Sequence, residues 1–270
     1  MTPKSIGVMI MNETIQIQPL HPLGAIISGI DLRQPLSTTS HSSLLQAFNK
    51  YAMLLFRDQE ITGDDMKRLA NVFGTVSDQG EAPGGVNYVS NIRPPGLSET
   101  GEMTLRGGDG ELQFHFDHCF QENVLRGLML YGVEVPPDGG DTLFADVRAA
   151  TQRLAPEVRV RIEGKTIRHK SSTRTGQPEA DHPILFKHPR TGEQVLFYSR
   201  VHAREIYGIP QAECEQLFRL FTELIENKDI IYRHKWRRGD LIVLDNIALQ
   251  HARETFDPKY SRHLQRVQIG

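Results

Sequence analysis

The sequence predicts an α+β domain built on a small β-sandwich or barrel. Three observations carry that expectation. Helical patterns flank the early part of the chain, and short apolar runs bounded by turn residues dominate afterwards. No repeat, low-complexity tract or composition break divides the 270 residues. A chain of this length with 39% hydrophobic residues can bury one substantial core, so residues 1–270 are expected to form a single domain.

In chain order, "IQIQPL" alternates like a strand, and "GAIISGIDL" is an apolar run bracketed by glycines. "HSSLLQAFNKYA" carries apolar residues at helical spacing, and "MLLFRDQ" reads as a buried strand. "TGDDMKRLANVFG" has Thr62 as N-cap, acids in its first turn and Gly74 past its end, the punctuation of a helix. Residues 76–111 are rich in Gly, Pro, Asn and Ser, which predicts a long loop holding one strand, "VNYVSNI". Strands follow at 112–120, in "LRGLMLYGVEV" and, after the turn "PPDGGD", in "TLFADV". "RAATQRLAPEVRVRIEG" looks helical, "QVLFYS" is a strand, and "PQAECEQLFRLFTELIEN" is an amphipathic helix with Pro210 near its first turn. The last quarter holds strands "IIYRHKW", "DLIVLD" and "SRHLQRVQI".

The 31 basic and 33 acidic residues nearly cancel, which gives no support for nucleic-acid binding. Cys119 and Cys214 are too few for a disulfide framework and fit a reducing cytoplasm. The opening "MTPKSIGVMIMNETIQ" has no long apolar region, so neither a signal peptide nor a membrane partner is expected. The expected partners are a small molecule and further copies of the chain, as a dimer or tetramer.

The chemistry is concentrated in "FHFDHCF", residues 114–120. On a strand, His115, Asp117 and Cys119 would share a face. A carboxylate is rarely buried without a partner, so the stretch either fills a core or holds a metal. A third ligand is needed, and most of the eleven histidines have bland surroundings. His21, His41, His182, His188 and His234 sit in polar or Pro-flanked segments and read as surface residues. His251 differs: in "LIVLDNIALQHARE" an apolar strand ends in Asp-Asn and the chain turns before the histidine, which can bring it to the mouth of a barrel. Two histidines and one carboxylate on one face of a metal is the arrangement of non-haem Fe(II) oxygenases. Arg262, eleven residues on, can offer a bidentate fork to a carboxylate cosubstrate.

At this point the chain resembles the taurine dioxygenase and dichlorophenoxyacetate dioxygenase (TauD/TfdA) family of Fe(II)- and 2-oxoglutarate-dependent oxygenases. The resemblance runs through "PLGAIISGIDLRQPL", "YAMLLFRDQEIT", "FHFDHCF", "PPDGGDTLFADVRAA", "HPRTGEQVLF", "RRGDLIVLDNIALQHARE" and "SRHLQRVQIG", in order and at matching spacing. It implies a double-stranded β-helix (a cupin-like jelly roll) with flanking helices. It implies that His115, Asp117 and His251 are catalytic and bind Fe(II), and that Thr142 and Arg262 grip 2-oxoglutarate. With O2 as the other cosubstrate, the resemblance implies oxidation of a small anionic metabolite with release of succinate and CO2. Asp117 stands where halogenating relatives carry a small residue, so halogenation is not expected. The rival readings are the same machinery used for desaturation or oxidative group removal in natural-product biosynthesis, and a jelly-roll binding protein without catalysis. A zinc hydrolase would leave Thr142 and Arg262 without purpose.

The remaining expectations are finer. Arg266, four residues past Arg262, stands where relatives that oxidise sulfonates or carboxylates bind the acidic group of the substrate. Because Asp117 is committed to metal, Arg266 is expected to be free for that anion. Asn91, Phe114 and Phe197 are expected to line the substrate pocket, and Cys119 to line it as a small residue. His118 should face away, and Asp245 and Asn246 should form a turn that supports the ligands. Residues 77–111 and 169–182 are expected to form a lid. "RHKWRR", 233–238, reads as a solvated strand end rather than a nucleic-acid patch.

Overall fold

The computed structural model describes residues 15–77, 85–91, 109–171 and 176–270. The first strands are β1 (Gln16–Pro19) and β2 (Ala25–Ser28), followed by α1 (Thr38–Tyr51), β3 (Met53–Phe56) and α2 (Gly63–Ala70). Next come β4 (Val86–Ser90), β5 (Leu112–His115), β6 (Gly127–Glu134), β7 (Thr142–Asp146), α3 (Val147–Gln152) and α4 (Pro156–Ile162). Strands β8 (Thr166–Lys170), β9 (Glu179–Pro183), β10 (Leu185–Lys187), β11 (Gln194–Leu196) and β12 (Ala203–Ile206) lead to α5 (Gln211–Ile225). The chain closes through β13 (Ile231–His234), β14 (Leu241–Asp245), β15 (Leu249–Arg253) and β16 (His263–Ile269).

A seven-stranded sheet, in the order β1-β2-β3-β14-β6-β16-β4, faces a four-stranded sheet, β13-β7-β15-β5. Alternation of side chains along the strands explains the layers. Met53 and Leu55 of β3 and Ile242 and Leu244 of β14 join Phe144 and Leu249 of the smaller sheet in one apolar cluster. Leu54, Phe56, Leu241 and Val243, pointing the other way, pack under α1 and α2 against Leu44, Phe48 and Met66. Strand β14 is therefore buried on both faces, which is why "LIVLD" is a continuous apolar run. The far side of the small sheet is covered by α3 and α5 through a third cluster that includes Ala145, Phe197 and Phe221. The result is the predicted jelly roll with helices outside.

Local signals hold where they are strongest. The Thr62 side chain accepts from Asp65 N while the Asp65 carboxylate accepts from Thr62 N, a capping box at the start of α2. Elsewhere the structure departs from expectation. The single helix expected over 148–164 is two, because Pro156 cannot continue the first and begins the second. The strand expected over 112–120 ends at His115, and His118 adopts a left-handed φ of 57° that turns the chain. In the expected lid, residues 78–84, 92–108 and 172–175 lie outside the described residues. The described ends of 169–182 are the paired strands β8 and β9, joined by β12 into a three-stranded sheet.

Candidate active site

The two histidines meet because β5 and β15 are antiparallel neighbours with His115 and His251 directly opposed. Opposed residues share a face, and their rings lie 4.4 Å apart. His251 thus sits within a strand, β15, which follows the Asp-Asn turn after β14. Asp117 reaches the same place from the turn after β5. Its Oδ1 is 3.3 Å from His115 Nε2 and 3.8 Å from His251 Nε2. One ligand atom from each residue lies within 4.8 Å of the other two.

That turn is held by Asn246, fully buried just past the end of β14. Its Oδ1 accepts from Asp117 N, and its Nδ2 donates to the carbonyls of Asp117 and Leu125, each at 2.9 Å. Asp245 Oδ1 accepts from Ile247 N and Ala248 N, closing the turn that leads to β15. Both residues support the site from behind, as expected of the Asp-Asn pair.

Electrostatics prepare the three groups for a cation. Burial would raise the Asp117 carboxyl, but the His115 hydrogen bond and the charges of Arg266, His251 and His115 hold it well below the usual range. Burial, then the His115 charge, pushes His251 down to about 3 against the pull of Asp117, so its imidazole is neutral. His115 Nδ1 lies 2.8 Å from the Gln113 carbonyl, which orients the ring with Nε2 towards Asp117. Two imidazole nitrogens and a carboxylate oxygen with open space beside them fit a divalent metal, which binds histidine through its unprotonated nitrogen.

The same cavity, about 290 Å³, runs from these residues to Thr142 and Arg262. Arg262 is 2% exposed; its Nε donates to the Gly140 carbonyl at 3.0 Å and its Nη2 to Thr142 Oγ1 at 3.3 Å. A Cβ on Gly140, whose φ is +67°, would lie 3.1 Å from Arg262 Cδ, so glycine there serves both the turn and the arginine. Trp236 Nε1 also donates to Thr142 Oγ1, at 2.9 Å. With both of its acceptor sites taken, the Thr142 hydroxyl keeps its own hydrogen to donate. Burial, then the neighbouring Arg253 charge, pushes the Arg262 guanidinium down to about 9 against the pull of Asp141. A hydroxyl donor and a buried, under-neutralised guanidinium form a site for a carboxylate.

Several expectations need correction. Arg266 is not free: its Nη1 donates to Asp117 Oδ2 at 2.9 Å. One Asp117 oxygen faces the histidines, and the arginine takes the other. Phe114 and Phe197 do not line the cavity. Phe114 precedes His115 on β5 and so points outward, and Phe197 is buried in the same outer cluster, stacked on Phe116 at 4.8 Å. Asn91 is a strut: its Oδ1 accepts from Arg262 N and its Nδ2 donates to the Tyr260 carbonyl. Cys119 is wholly buried in the outer cluster, and burial raises its thiol. His118 lines the cavity, within 3.2 Å of Gln268 Nε2. Three histidines expected at the surface are buried. His182 lies 3.0 Å from the Gln121 carbonyl, His188 2.9 Å from Asp245 Oδ2, and His234 3.1 Å from Asp240 Oδ2. Within "RHKWRR", Arg233 pairs with Asp141 and Glu254, and His234 and Trp236 are buried.

Two cavity residues carried no signal that was read from the sequence. His202, before β12, has its ring 6.5 Å from His115, and burial followed by the His115 charge pushes it down to about 4. Arg253 lies two residues past His251, a spacing that marks a shared face only once the segment is known to be a strand.

A jelly roll carrying two histidines and an aspartate beside a buried carboxylate grip defines the class of non-haem metal oxygenases that use a dicarboxylate cosubstrate. The chain belongs to the taurine catabolism dioxygenase TauD, TfdA family, whose model matches residues 16–268. It is 28% identical to the alpha-ketoglutarate-dependent 2,4-dichlorophenoxyacetate dioxygenase of Cupriavidus pinatubonensis, covering 94% of this chain and 97% of the relative. It is 26% identical to pentalenolactone F synthase of Streptomyces avermitilis, covering 92% and 91%. The solved structure of AAD-2 in complex with Mn(II) and N-oxalylglycine matches with a TM-score of 0.83 at 28% identity, covering 95% of this chain and 96% of that one. The protein is a 2-oxoglutarate-dependent dioxygenase that uses Fe(II) and O2. Among the described residues no helix is long and apolar enough to cross a membrane.

Proposed function

We propose that His115, Asp117 and His251 hold the iron, that Thr142 and Arg262 hold the distal carboxylate of 2-oxoglutarate, and that the enzyme oxidises a small carboxylate or sulfonate. The carrying observation is the convergence of the three ligand atoms within 4.8 Å in the cavity that also holds the Thr142–Arg262 pair. When bound, iron and 2-oxoglutarate supply the oxidising power: one oxygen atom of O2 goes to the substrate and the other to succinate, with release of CO2. The chain's own residues bind and shield. Asp117 supplies the anionic ligand, His115 and His251 the neutral ones, and Leu128, Leu130 and Leu264 make an apolar wall that limits water.

The anionic substrate is supported by Arg266. It lines the cavity with one Nη on Asp117, while its buried Nε has no hydrogen-bond partner among the described residues. On this reading an acidic group pairs with the guanidinium charge beside Asp117 and does not replace it. The name of the dichlorophenoxyacetate relative describes a carboxylate substrate, in keeping with this reading. The pentalenolactone relative supports a second reading, in which the same oxidation serves natural-product biosynthesis.

Anaerobic addition of Fe(II) and then 2-oxoglutarate should produce a visible absorption band, and a screen of carboxylates, sulfonates and amino acids should reveal substrate-dependent succinate. Arg266→Ala should weaken both substrate and iron binding, because one guanidinium serves both. Turnover of an uncharged native substrate would sink the anion reading and leave the cosubstrate site standing.

A further inference from the structure

We propose that Arg253 is a second cationic grip on the distal carboxylate of 2-oxoglutarate, so that the cosubstrate is clamped between two arginines and Thr142. The inference rests on the reading that Thr142 and Arg262 form the cosubstrate's far end.

The placement follows from the sheet. Arg253 is opposed to Thr142 across β15 and β7, as His251 is to Phe144, so the Arg253 and Thr142 side chains leave the same face of the small sheet. That face points into the cavity, which both residues line. A two-residue step along a strand advances about 6.6–6.8 Å. Arg253 thus stands one such step from the iron-side histidine, at the end of the cavity where Arg262 lies.

The chemistry of Arg253 is incomplete without an anion. It is 7% exposed, and its Nη2 donates to the Gly110 carbonyl at 2.6 Å. Its Nε and Nη1 are buried with no hydrogen-bond partner among the described residues. Among those residues no carboxylate forms an ion pair with it. A buried guanidinium with two idle donors is costly, and a second one beside it adds repulsion. The Arg253 charge, with burial, lowers the Arg262 guanidinium against the pull of Asp141. A carboxylate placed between the two relieves both, and each guanidinium presents a planar fork to it. Arg253 is then a selectivity device as well, since a 2-oxo acid that lacks the distal carboxylate leaves both arginines unpaired.

The test is anaerobic calorimetric titration of the Fe(II)-loaded protein with 2-oxoglutarate and, separately, with 2-oxovalerate, which has no distal carboxylate. Arg253→Met should weaken 2-oxoglutarate about ten- to hundredfold, the loss expected for a charged hydrogen-bonding partner, and leave 2-oxovalerate and iron affinity within about twofold. Where Arg253→Met does not fold, Arg253→Lys gives the same comparison with a loss of about threefold or more, because an ammonium cannot reproduce the fork. A dissociation constant for 2-oxoglutarate within about twofold of the parent's overturns the proposal and leaves Arg253 as a tie to the Gly110 carbonyl. Arg262→Met is the control for the underlying reading. If it too leaves the constant unchanged, the cosubstrate pocket itself is misplaced.

Discussion

Asn246 is the residue whose removal tests most directly how this fold builds the proposed metal site. It touches no cavity atom that would meet a ligand, yet it holds the Asp117 turn by three hydrogen bonds of 2.9 Å. Asn246→Ala would leave the Asp117 N–H and two carbonyls buried without partners. Each such group costs about 1–3 kcal/mol, so the loss should reach about 3–5 kcal/mol after water enters the space and recovers part. That is a large share of the about 5–15 kcal/mol of an ordinary domain. Asn246→Asp separates the contributions: it keeps the acceptor for Asp117 N but turns an anionic oxygen towards two carbonyls. It should cost at least as much despite its equal size. The assay is urea unfolding of the metal-free protein followed by circular dichroism, paired with iron affinity measured against a competing chelator. Affinity should fall about ten- to hundredfold, the usual effect of losing a support behind a ligand. Unfolding within about 1 kcal/mol of the parent and unchanged iron affinity would refute the reasoning.

His115→Ala, Asp117→Ala and His251→Ala should each abolish iron binding and succinate formation while circular dichroism shows the fold retained. Near-parental iron affinity in any of the three removes that residue from the ligand set. Arg262→Ala should raise the apparent KM for 2-oxoglutarate by an amount equivalent to about 3–5 kcal/mol, since it breaks a buried charge pair, with partial recovery in Arg262→Lys. An unchanged KM in both variants would place the cosubstrate elsewhere. The pH dependence of stability follows from His202, held at about 4 in the fold against an ordinary 6.5 by burial and by His115, with Arg204 and His118 adding to the effect and Asp117 opposing it. The unfolded chain takes up the proton first, so stability is intact above pH 6.5 and falls as pH drops from 6.5 towards 4. The full loss is about 3 kcal/mol, at 1.36 kcal/mol per pH unit. His202→Gln should flatten that part of the metal-free protein's profile, and an equal slope in parent and variant would show that His202 is not the group responsible.

The parts of this structure that could be read from the sequence are those fixed by near neighbours. The α2 capping box, the both-sided burial of "LIVLD" and the Asp-Asn turn before His251 are all written within a few residues. His115 and Asp117 do come together, but not as neighbours on one strand face. A strand through Cys119 would have set three ligating groups on one face. Instead His118 turns the chain at φ 57°, and Asn246, distant in sequence, restores Asp117 to the site. The same limit hid β8 and β9. "TIRHK" and "EADHP" alternate as strands do, but the second inward residue of each is a histidine, His169 and His182, so the apolar period is broken. A histidine is read as surface when its neighbours are polar. Whether it can be buried depends on partners far along the chain, such as Asp245 for His188 and the Gln121 carbonyl for His182.

The charges around the cavity tie these observations to the class of ligand. Arg253, Arg262 and Arg266 line it, and Asp117 is the only carboxylate among its described lining residues. With His251 and His202 neutral, three guanidiniums face one carboxylate, and a divalent cation would add to the excess. The partnering is uneven. Arg266 spends a donor on Asp117, whereas among the described residues the two arginines at the far end hydrogen-bond only to backbone carbonyls and a hydroxyl, with Asp109 and Asp141 acting on them at longer range. Each buried charge without a counter-ion is costly. On the proposed reading, a dicarboxylate would neutralise the charge at the far end, and a neutral substrate would leave a positive remainder beside the histidines. An acidic substrate group beside Arg266 removes that remainder. On that same reading, a preference for anions would belong to the whole cavity, with Arg266 setting where the substrate's acidic group sits.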